Sequence, residues 1–331
     1  MIADRARRAV PRIDMYWGGA LRGDFPTRGP ETIPEGESEL DMRKSRHLAL
    51  GTRMHCMPLV LIVSLFFAGF GGMGTTRERA VQHPSNVFTP RSVMWIAAHP
   101  DDEAIVAPLL AKWCREERAR CCFLILTRGE GGSCLRLDGC RPDVASVRSA
   151  EAGAASQYFG ADSILLTYPN TAGVAKPAWR ASVGDRPDVV AAVAAYIEAF
   201  HPSLVLTFDP RHGSTCHPDH LETGAIVLDA GKRLSYQPEI ELLETRVTFV
   251  FDPLIIHFAP AVSGAQRFDA NEILTSTQDS AWAEIIHDMA RHPSQFDESW
   301  LAAIHSVPWA DRAVYFAPAN SILKVQVAGC P

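Results

Sequence analysis

From about residue 91 onward, short apolar β-rich runs alternate with stretches of helical pattern, and this alternation constrains the fold more than any other feature. Such alternation is typical of βαβ units around a parallel sheet. It predicts one domain over about residues 91–331, of the α/β class, with a Rossmann-like three-layer αβα arrangement and a mostly parallel sheet. The expected strands are 93–98, 122–127, 163–167, 203–208 and 246–251, and the expected helices are 103–119, 144–159, 187–199 and 219–232.

Beyond residue 251 the pattern is looser. It predicts a helix over 271–291, a second short helix after it, and a final strand over 313–317. We therefore expect the parallel core to be built before residue 251 and completed by a less regular C-terminal part.

The N-terminal part of the chain differs from the rest. Residues 1–41 are first rich in Arg and then rich in Pro, Gly and acids, without periodicity, which predicts disorder. Residues 57–73 are apolar and follow a basic segment, so residues 42–73 are predicted to be a signal peptide or a retained signal-anchor. The apolar core is short for a spanning helix, which needs about 20 residues. Because Met42 stands directly before the basic segment, we expect it to be the true start and residues 1–41 to be a mis-assigned N-terminus.

These features predict an exported protein, periplasmic or extracellular, with membrane contact only through an uncleaved N-terminal segment. The net charge of -6 and the lack of a basic, aromatic-interleaved run argue against a nucleic-acid partner. In an oxidising compartment Cys134 and Cys140 can close a disulfide across a short loop. A pairing of Cys216 with either of them is the alternative, whereas Cys121 and Cys122 are expected to be buried thiols.

Two motifs follow two of the expected strands. His99-Pro-Asp-Asp-Glu103 comes directly after the first strand, and His217-Pro-Asp-His220 comes in the loop after the strand 203–208. Because loops after parallel strands share one edge of the sheet, segments far apart in sequence meet there. We therefore expect both motifs to surround one metal ion.

The residue types in these motifs suit a catalytic metal. His99 and His220 offer imidazoles, and Asp102 offers a hard oxygen ligand. Three protein ligands leave a position open for water, which a metal makes acidic enough to attack near neutral pH. Of the two neighbouring carboxylates one can ligate while the other takes a proton, and one His of the second motif can act as general acid. Taken singly, the acids could also be helix N-terminal residues favoured by the dipole.

Together the two motifs resemble those of the PIG-L-type (LmbE-like) N-deacetylases, a family that removes acetyl groups from N-acetylglucosamine-containing conjugates. The likeness covers about residues 93–295. It implies metal ligation by His99, Asp102 and His220. It also implies that Asp101 is the general base, that His217 is the general acid/base, and that Asp219 orients His217. Zinc is the expected cofactor, although ferrous iron accepts the same ligands.

Other segments suggest further residues of the same site. Arg148-Ser-Ala-Glu151 resembles the family's Arg-x-x-Glu helix, in which the Arg binds substrate; the alternative is a surface ion pair with Glu151. In the polar loop after the strand 203–208, Arg211 is expected to contact substrate, and Asp209 either hydrogen-bonds a metal-binding His or forms a turn. His292-Pro-Ser-Gln295 resembles a C-terminal motif of the family, without the Lys that usually precedes it.

The sequence therefore predicts a metal-dependent hydrolase that removes an N-acetyl group from an N-acetylglucosamine-type sugar or conjugate, through a metal-activated water. The alternatives are an amidase or O-deacylase acting on a non-sugar substrate, and a carbohydrate-binding protein without catalytic activity on the same fold. The partner in each sugar case is an acetamido-sugar small molecule or glycoconjugate.

Overall fold

The computed structural model describes residues 89–173, 175–180, 188–251, 253–325, 327 and 330, all of them in the compact unit Glu78–Pro331. The predicted disordered segment 1–41 and the predicted signal segment 42–73 lie outside the described residues. Within the described part of the chain, no helix has the length and apolar character needed to cross a membrane.

The regular elements follow one another in an α/β order. The strands are β1 Ser92–Ala97, β2 Arg120–Ile125, β3 Asp162–Leu165, β4 Leu204–Phe208, β5 Glu239–Leu243, β6 Thr245–Phe251, β7 Leu254–Pro260, β8 Gln266–Asp269 and β9 Ala313–Pro318. The α-helices are α1 Ala107–Leu110, α2 Val144–Phe159, α3 Val189–Phe200, α4 Pro218–Gly231, α5 Ala283–Met289, α6 Glu298–Ser306 and α7 Ala319–Ile322.

Seven strands form the central sheet in the order β3-β2-β1-β4-β5-β9-β8. The first five are parallel, while β9 runs antiparallel to β5 and β8 antiparallel to β9. The mostly parallel sheet predicted from the sequence is therefore confirmed. β1 lies between β2 and β4, with Trp95 paired to Phe123 on one side and to Leu206 on the other.

The two faces of β1 explain the three layers. Successive side chains of a strand point to opposite faces of the sheet. Val93 and Trp95 enter a core shared with α2, α5 and α6, whereas Met94 and Ile96 enter a second core shared with α3 and α4. A strand that is buried on both faces reads as a continuous apolar run, as β1 does.

Three predicted elements differ in the structure. The segment 246–251 is a strand, but it forms a separate two-stranded hairpin with β7 instead of joining the parallel sheet. The predicted helix 103–119 is a 3-10 turn over Asp102–Val106, then α1, then a π-helical segment over Ala111–Glu116. The predicted helix 271–291 is reduced to α5, because Thr275 and Ser276 use their backbone N–H groups to bind the Glu116 carboxylate.

Three disulfides join described cysteines. The predicted pair Cys134–Cys140 is present. Cys216 pairs with Cys330, not with Cys134 or Cys140. The prediction for Cys121 is wrong, since it pairs with Cys114, whereas Cys122 is a buried free thiol as expected. Cys121 and Cys122 are neighbours on a strand and therefore face opposite sides of the sheet, so their surroundings differ.

Candidate active site

Both motifs lie at the carboxyl edge of the central sheet. β1 ends at Ala97, two residues before His99, and the loop after β4 leads to His217 at the start of α4. Because β1 and β4 are parallel neighbours, their following loops meet at one edge. The structure thus brings together residues that are more than a hundred positions apart in sequence.

The three expected ligands present their donor atoms to one point. His220 Nε2 lies 3.0 Å from Asp102 Oδ1 and 3.3 Å from His99 Nδ1. His99 Nδ1 lies 3.6 Å from Asp102 Oδ1. Tetrahedral ligands about 2.1 Å from a zinc ion are about 3.4 Å apart. The spacing of these three atoms therefore fits one shared metal ion.

The polar atoms of these three residues that point away from the shared position are hydrogen-bonded to other groups. These hydrogen bonds fix the orientation of the two rings and of the carboxylate. His99 Nε2 lies 2.9 Å from an oxygen of Asp219, and His220 Nδ1 lies 2.9 Å from the Gly213 carbonyl oxygen. Asp102 Oδ2 accepts the backbone N–H groups of Ala98 and His99. A ring nitrogen that donates to an acceptor leaves the other nitrogen unprotonated for a metal.

The local charge also favours a cation. Burial opposes a charge on His99, but the charge of Asp102 and hydrogen bonds to Asp102 and Asp219 raise its pKa to about 9, so a proton and a metal ion would compete for Nδ1. Burial would raise the pKa of the Asp102 carboxyl, yet the charges of His220 and His99 hold it well below its usual range. Asp102 is therefore ionised, and its carboxylate would help to hold a bound cation in the same place.

The rings of His99, His217 and His220 form a second possible ligand set, since one nitrogen of each lies within 4.8 Å of the others. His217 Nδ1, however, accepts the backbone N–H of Asp219 at the start of α4. Asp102 is the better third ligand because its Oδ1 is already within 3.0 Å of His220 Nε2.

Asp101 is held in an uncommon backbone conformation beside this set. Its φ of 96° lies in the left-handed region, which costs a non-glycine residue about 1–3 kcal/mol. Its N–H donates to Glu103 Oε2, and its Oδ2 forms an ion pair of 2.8 Å with Arg148. Burial raises the pKa of the Asp101 carboxyl, while the charge of Arg148 opposes that shift. A raised carboxyl pKa suits a group that must accept a proton.

Arg148 lies in the site and not on the surface. Its side chain is 4% exposed, and its guanidinium donates to the carbonyl oxygens of Gly129 and Pro100. A Cβ atom on Gly129 would lie 2.4 Å from this guanidinium, so the close approach requires glycine there. The alternative of an ion pair with Glu151 does not hold, because the Glu151 carboxylate accepts hydrogen bonds from Ser294.

The Asp219 carboxylate contacts a different histidine from the one that the resemblance implies. It binds His99 Nε2 and accepts a 2.6 Å hydrogen bond from Thr171 Oγ1. Only its backbone N–H reaches His217. The geometric reason is that Asp219 lies in the first turn of α4, where its side chain turns towards β1. Burial and the charges of His220 and His99 lower the pKa of His217 to about 4.

Two expected site residues lie elsewhere. The Arg211 guanidinium binds the Asp209 carboxylate and donates to the carbonyl oxygens of Ile322 and Val325. Its donors are thus used within the fold, which contradicts the expectation of substrate contact. Asp209 is fully buried against Arg211, and among the described residues its carboxylate makes no hydrogen bond to His99 or His220. The expectation that it hydrogen-bonds such a His is corrected accordingly.

A polar cleft of about 310 Å³ opens over the site. Its walls carry both motifs and several other residues: His99, Asp101, Asp102, Gly131, Gly132, Ser133, Arg148, Asn170, Ala172, His217, His220 and Gln295. Sequence reasoning missed Asn170 and Thr171, which bind Asp219. Their position in the loop after β3, at the same sheet edge, was the available signal.

Comparison with known proteins agrees with this geometry. Residues 94–231 match the family described as PIG-L: GlcNAc-PI de-N-acetylase. Two curated relatives are both named 1D-myo-inositol 2-acetamido-2-deoxy-alpha-D-glucopyranoside deacetylase. The one from Kineococcus radiotolerans is 32% identical over 168 residues, which cover 43% of this chain and 46% of the relative. The one from Rhodococcus erythropolis is 30% identical over 160 residues, which cover 42% and 52%.

The chain therefore spans about half the length of the curated relatives it matches. A solved structure, N,N'-diacetylchitobiose deacetylase from Pyrococcus horikoshii, shares the fold with a TM-score of 0.51 and 14% identity. That match covers 72% of this chain and 87% of the other. The resemblance to PIG-L-type deacetylases is confirmed over residues 94–231, a range that contains both motifs.

Proposed function

We propose, from the PIG-L-type region at residues 94–231, that this chain is a metal-dependent N-deacetylase that acts on an N-acetylglucosamine-type sugar or conjugate. The names of the curated relatives support an acetamido sugar as substrate. The observation that carries the proposal is the set of three donor atoms, from His99, Asp102 and His220, which lie 3.0–3.6 Å apart. The Asp101 carboxylate lines the same cleft beside them.

The donor set fits zinc or ferrous iron, with His99, Asp102 and His220 as the residues that would hold it. When bound, such an ion would act as a Lewis acid and make water reactive near neutral pH. Asp101 is the base in this proposal. Its carboxylate lines the cleft next to Asp102, and its raised pKa favours uptake of a proton from the attacking water.

Arg148 would hold Asp101 in place while it acts. The ion pair of 2.8 Å directs one oxygen of Asp101 to the guanidinium and leaves the other oxygen for the water. The guanidinium itself is fixed by two backbone carbonyl oxygens. A contact of Arg148 with substrate is part of the proposal, because the side chain also lines the cleft.

His217 is proposed to serve the leaving amine. Its Nδ1 accepts the Asp219 N–H, so Nε2 is the ring nitrogen that remains for proton exchange in the cleft. With its pKa lowered to about 4, His217 is neutral at rest and can take up a proton released in the reaction. Protonation of the amine by His217 would then complete cleavage of the C–N bond.

Export is proposed as well. Three disulfides among the described residues support an oxidising compartment, where such bonds persist. The basic and apolar segment 42–73 supports the same conclusion from the sequence.

The test is acetate release from N-acetylglucosamine and its oligomers by the zinc-loaded whole chain. Wild type should release acetate. Asp101→Asn should retain the metal and lose about 10²–10⁴-fold in kcat, the usual worth of a general base. His217→Ala should keep the metal and slow turnover to a similar degree. An Asp101→Asn variant with full activity and full metal content would contradict the assignment of the base.

A further inference from the structure

An apolar pocket of about 150 Å³ adjoins the polar cleft. One wall is the β6–β7 hairpin, with the buried or half-buried side chains Val247, Phe249, Ile256 and Phe258. The lining also includes Met289, the last residue of α5, and Trp300, in α6. Its polar lining residues are Asp101, Asp102, Thr215 and His220, which lie in or beside the two motifs.

The pocket and the cleft share three residues. Asp101, Asp102 and His220 line both of them. His217 and Arg148 line the cleft but not the pocket. The proposed reaction centre is therefore the junction between a polar space and an apolar one.

An amide substrate has a matching division. On one side of the reacting carbonyl carbon is the nitrogen with its sugar, and on the other is the acyl substituent. His217, the proposed donor to the amine, places the sugar side in the cleft. The acyl substituent then points into the apolar pocket.

The size of the pocket exceeds what an acetyl group needs. A water-sized group such as one methyl occupies on the order of 10–15 Å³ of such space. The 150 Å³ available is about ten times that amount. We propose that this pocket binds the acyl substituent of the substrate and that the chain hydrolyses N-acyl groups longer than acetyl, such as butyryl and hexanoyl on glucosamine.

This inference rests on the proposed amide hydrolysis, and it differs from that proposal only in the length of the acyl group that is removed. The oxygen of water bonds to the carbonyl carbon, the C–N bond breaks, and the nitrogen receives a proton. The products are a short fatty acid and glucosamine, with water as the only co-reactant. Each added methylene that enters the pocket should raise kcat/KM by roughly threefold.

The experiment measures glucosamine release by the zinc-loaded whole chain from N-acetyl-, N-butyryl- and N-hexanoylglucosamine. The chain offers a matched pair of variants on β7. Ile256 is 3% exposed and lines the pocket, whereas its neighbour Ile255 is 40% exposed and points away. Ile256→Phe fills the pocket, and Ile255→Phe adds the same atoms to the outer face of the hairpin.

At roughly threefold per added methylene, we expect wild type to prefer the butyryl substrate about 10-fold, and the hexanoyl substrate up to about 80-fold, over the acetyl one. Ile256→Phe should lower kcat/KM for the hexanoyl substrate far more than for the acetyl substrate and so remove the preference, whereas Ile255→Phe should keep the wild-type preference. Val247→Leu, a smaller intrusion on the same wall, should reduce the preference if Ile256→Phe fails to fold. Equal rates for the three substrates, or equal effects of both phenylalanine variants, would overturn the proposal.

Failure of the proposed function has a different signature. Absence of glucosamine from all three substrates means that the chain is not a hydrolase of these amides. Calorimetric binding then decides the role of the pocket. Tighter binding of N-hexanoylglucosamine than of N-acetylglucosamine, lost in Ile256→Phe and kept in Ile255→Phe, supports an acyl-binding pocket, and equal binding refutes it.

Discussion

Two clusters of histidine and carboxylate include chain neighbours of Asp101, and they differ in their access to the cleft. The open cluster, His99, Asp102 and His220, borders the cleft. The sealed cluster, Glu103, Asp288 and His292, is fully buried. Both contain residue types that can bind a metal, so composition alone does not distinguish them.

In the sealed cluster Glu103 and His292 bind each other, whereas both oxygens of Asp288 and Nδ1 of His292 have no hydrogen-bond partner among the described residues. His292 Nε2 lies 2.8 Å from Glu103 Oε1, and Glu103 Oε2 accepts the N–H of Asp101. This pair ties the segment after α5 to the strained turn of Asp101. In the open cluster the outer atoms are bound and the inner atoms face the cleft. The contact between Glu103 and His292 therefore positions the turn, whereas the open cluster is the one that we propose to bind the metal ion.

The largest expected effect is on metal content, which should fall when a residue of the open cluster is changed and stay the same when a residue of the sealed cluster is changed. His220→Gln removes a donor atom from the open cluster, and we expect metal affinity to fall by more than about 100-fold, since outer partners alone are worth 10–100-fold. His292→Gln, which keeps a donor towards Glu103, should bind one metal per chain. Elemental analysis after dialysis measures both. Loss of metal in the His292 variant alone would reverse the roles of the two clusters.

A smaller loss of metal affinity is expected when Asp219, the carboxylate that orients the proposed ligand His99, is changed. Asp219→Asn weakens the acceptor for His99 Nε2, which should lower metal affinity about 10–100-fold. Asp288→Asn makes the same chemical change in the sealed cluster and should leave metal affinity unchanged. Competition with a chelating dye measures the two constants, and equal losses would remove the distinction.

The smallest effect concerns stability. Within the described residues, neither oxygen of Asp288 has a hydrogen-bond partner, and burial together with the charge of Glu103 raises its pKa well above its usual range. The folded protein therefore keeps a proton that the unfolded chain loses near its ordinary pKa of 3.8. The contribution of the protonated Asp288 carboxyl to the free energy of unfolding is therefore fully present below pH 3.8, and it declines as the pH rises towards the pKa in the folded protein.

Asp288→Asn should remove this decline, so that the free energy of unfolding of the variant falls less than that of wild type between about pH 4 and neutral pH. Denaturant unfolding of wild type and variant at several pH values measures it. A variant whose unfolding free energy follows the same pH dependence as wild type would show that Asp288 is not the group responsible.

Much of the fold could be predicted from the sequence because buried parallel strands are continuous apolar runs. β1, β2, β3 and β4 were expected on that basis, and α2 was expected with its observed bounds. β5 was missed because Glu239 and Glu241 interrupt its apolar pattern. Cys330, 114 residues from Cys216, gave no local signal of their pairing.

The site was predictable to a lesser degree. The motif residues could be placed because strand ends define one edge of the sheet. Arg211 and Asp209 are in a loop at that edge, but a position in a loop does not determine where a side chain turns. They bind each other because a buried carboxylate is costly without a cationic partner, and the Arg211 guanidinium, two residues away, is close enough to be that partner.

The most direct test of the central claim is a crystal structure of the zinc-loaded chain with data collected at the zinc absorption edge. We expect one anomalous peak about 2.0–2.2 Å from His99 Nδ1, Asp102 Oδ1 and His220 Nε2. A peak between Glu103, Asp288 and His292, or no peak in the open cluster at full metal content, would contradict the account.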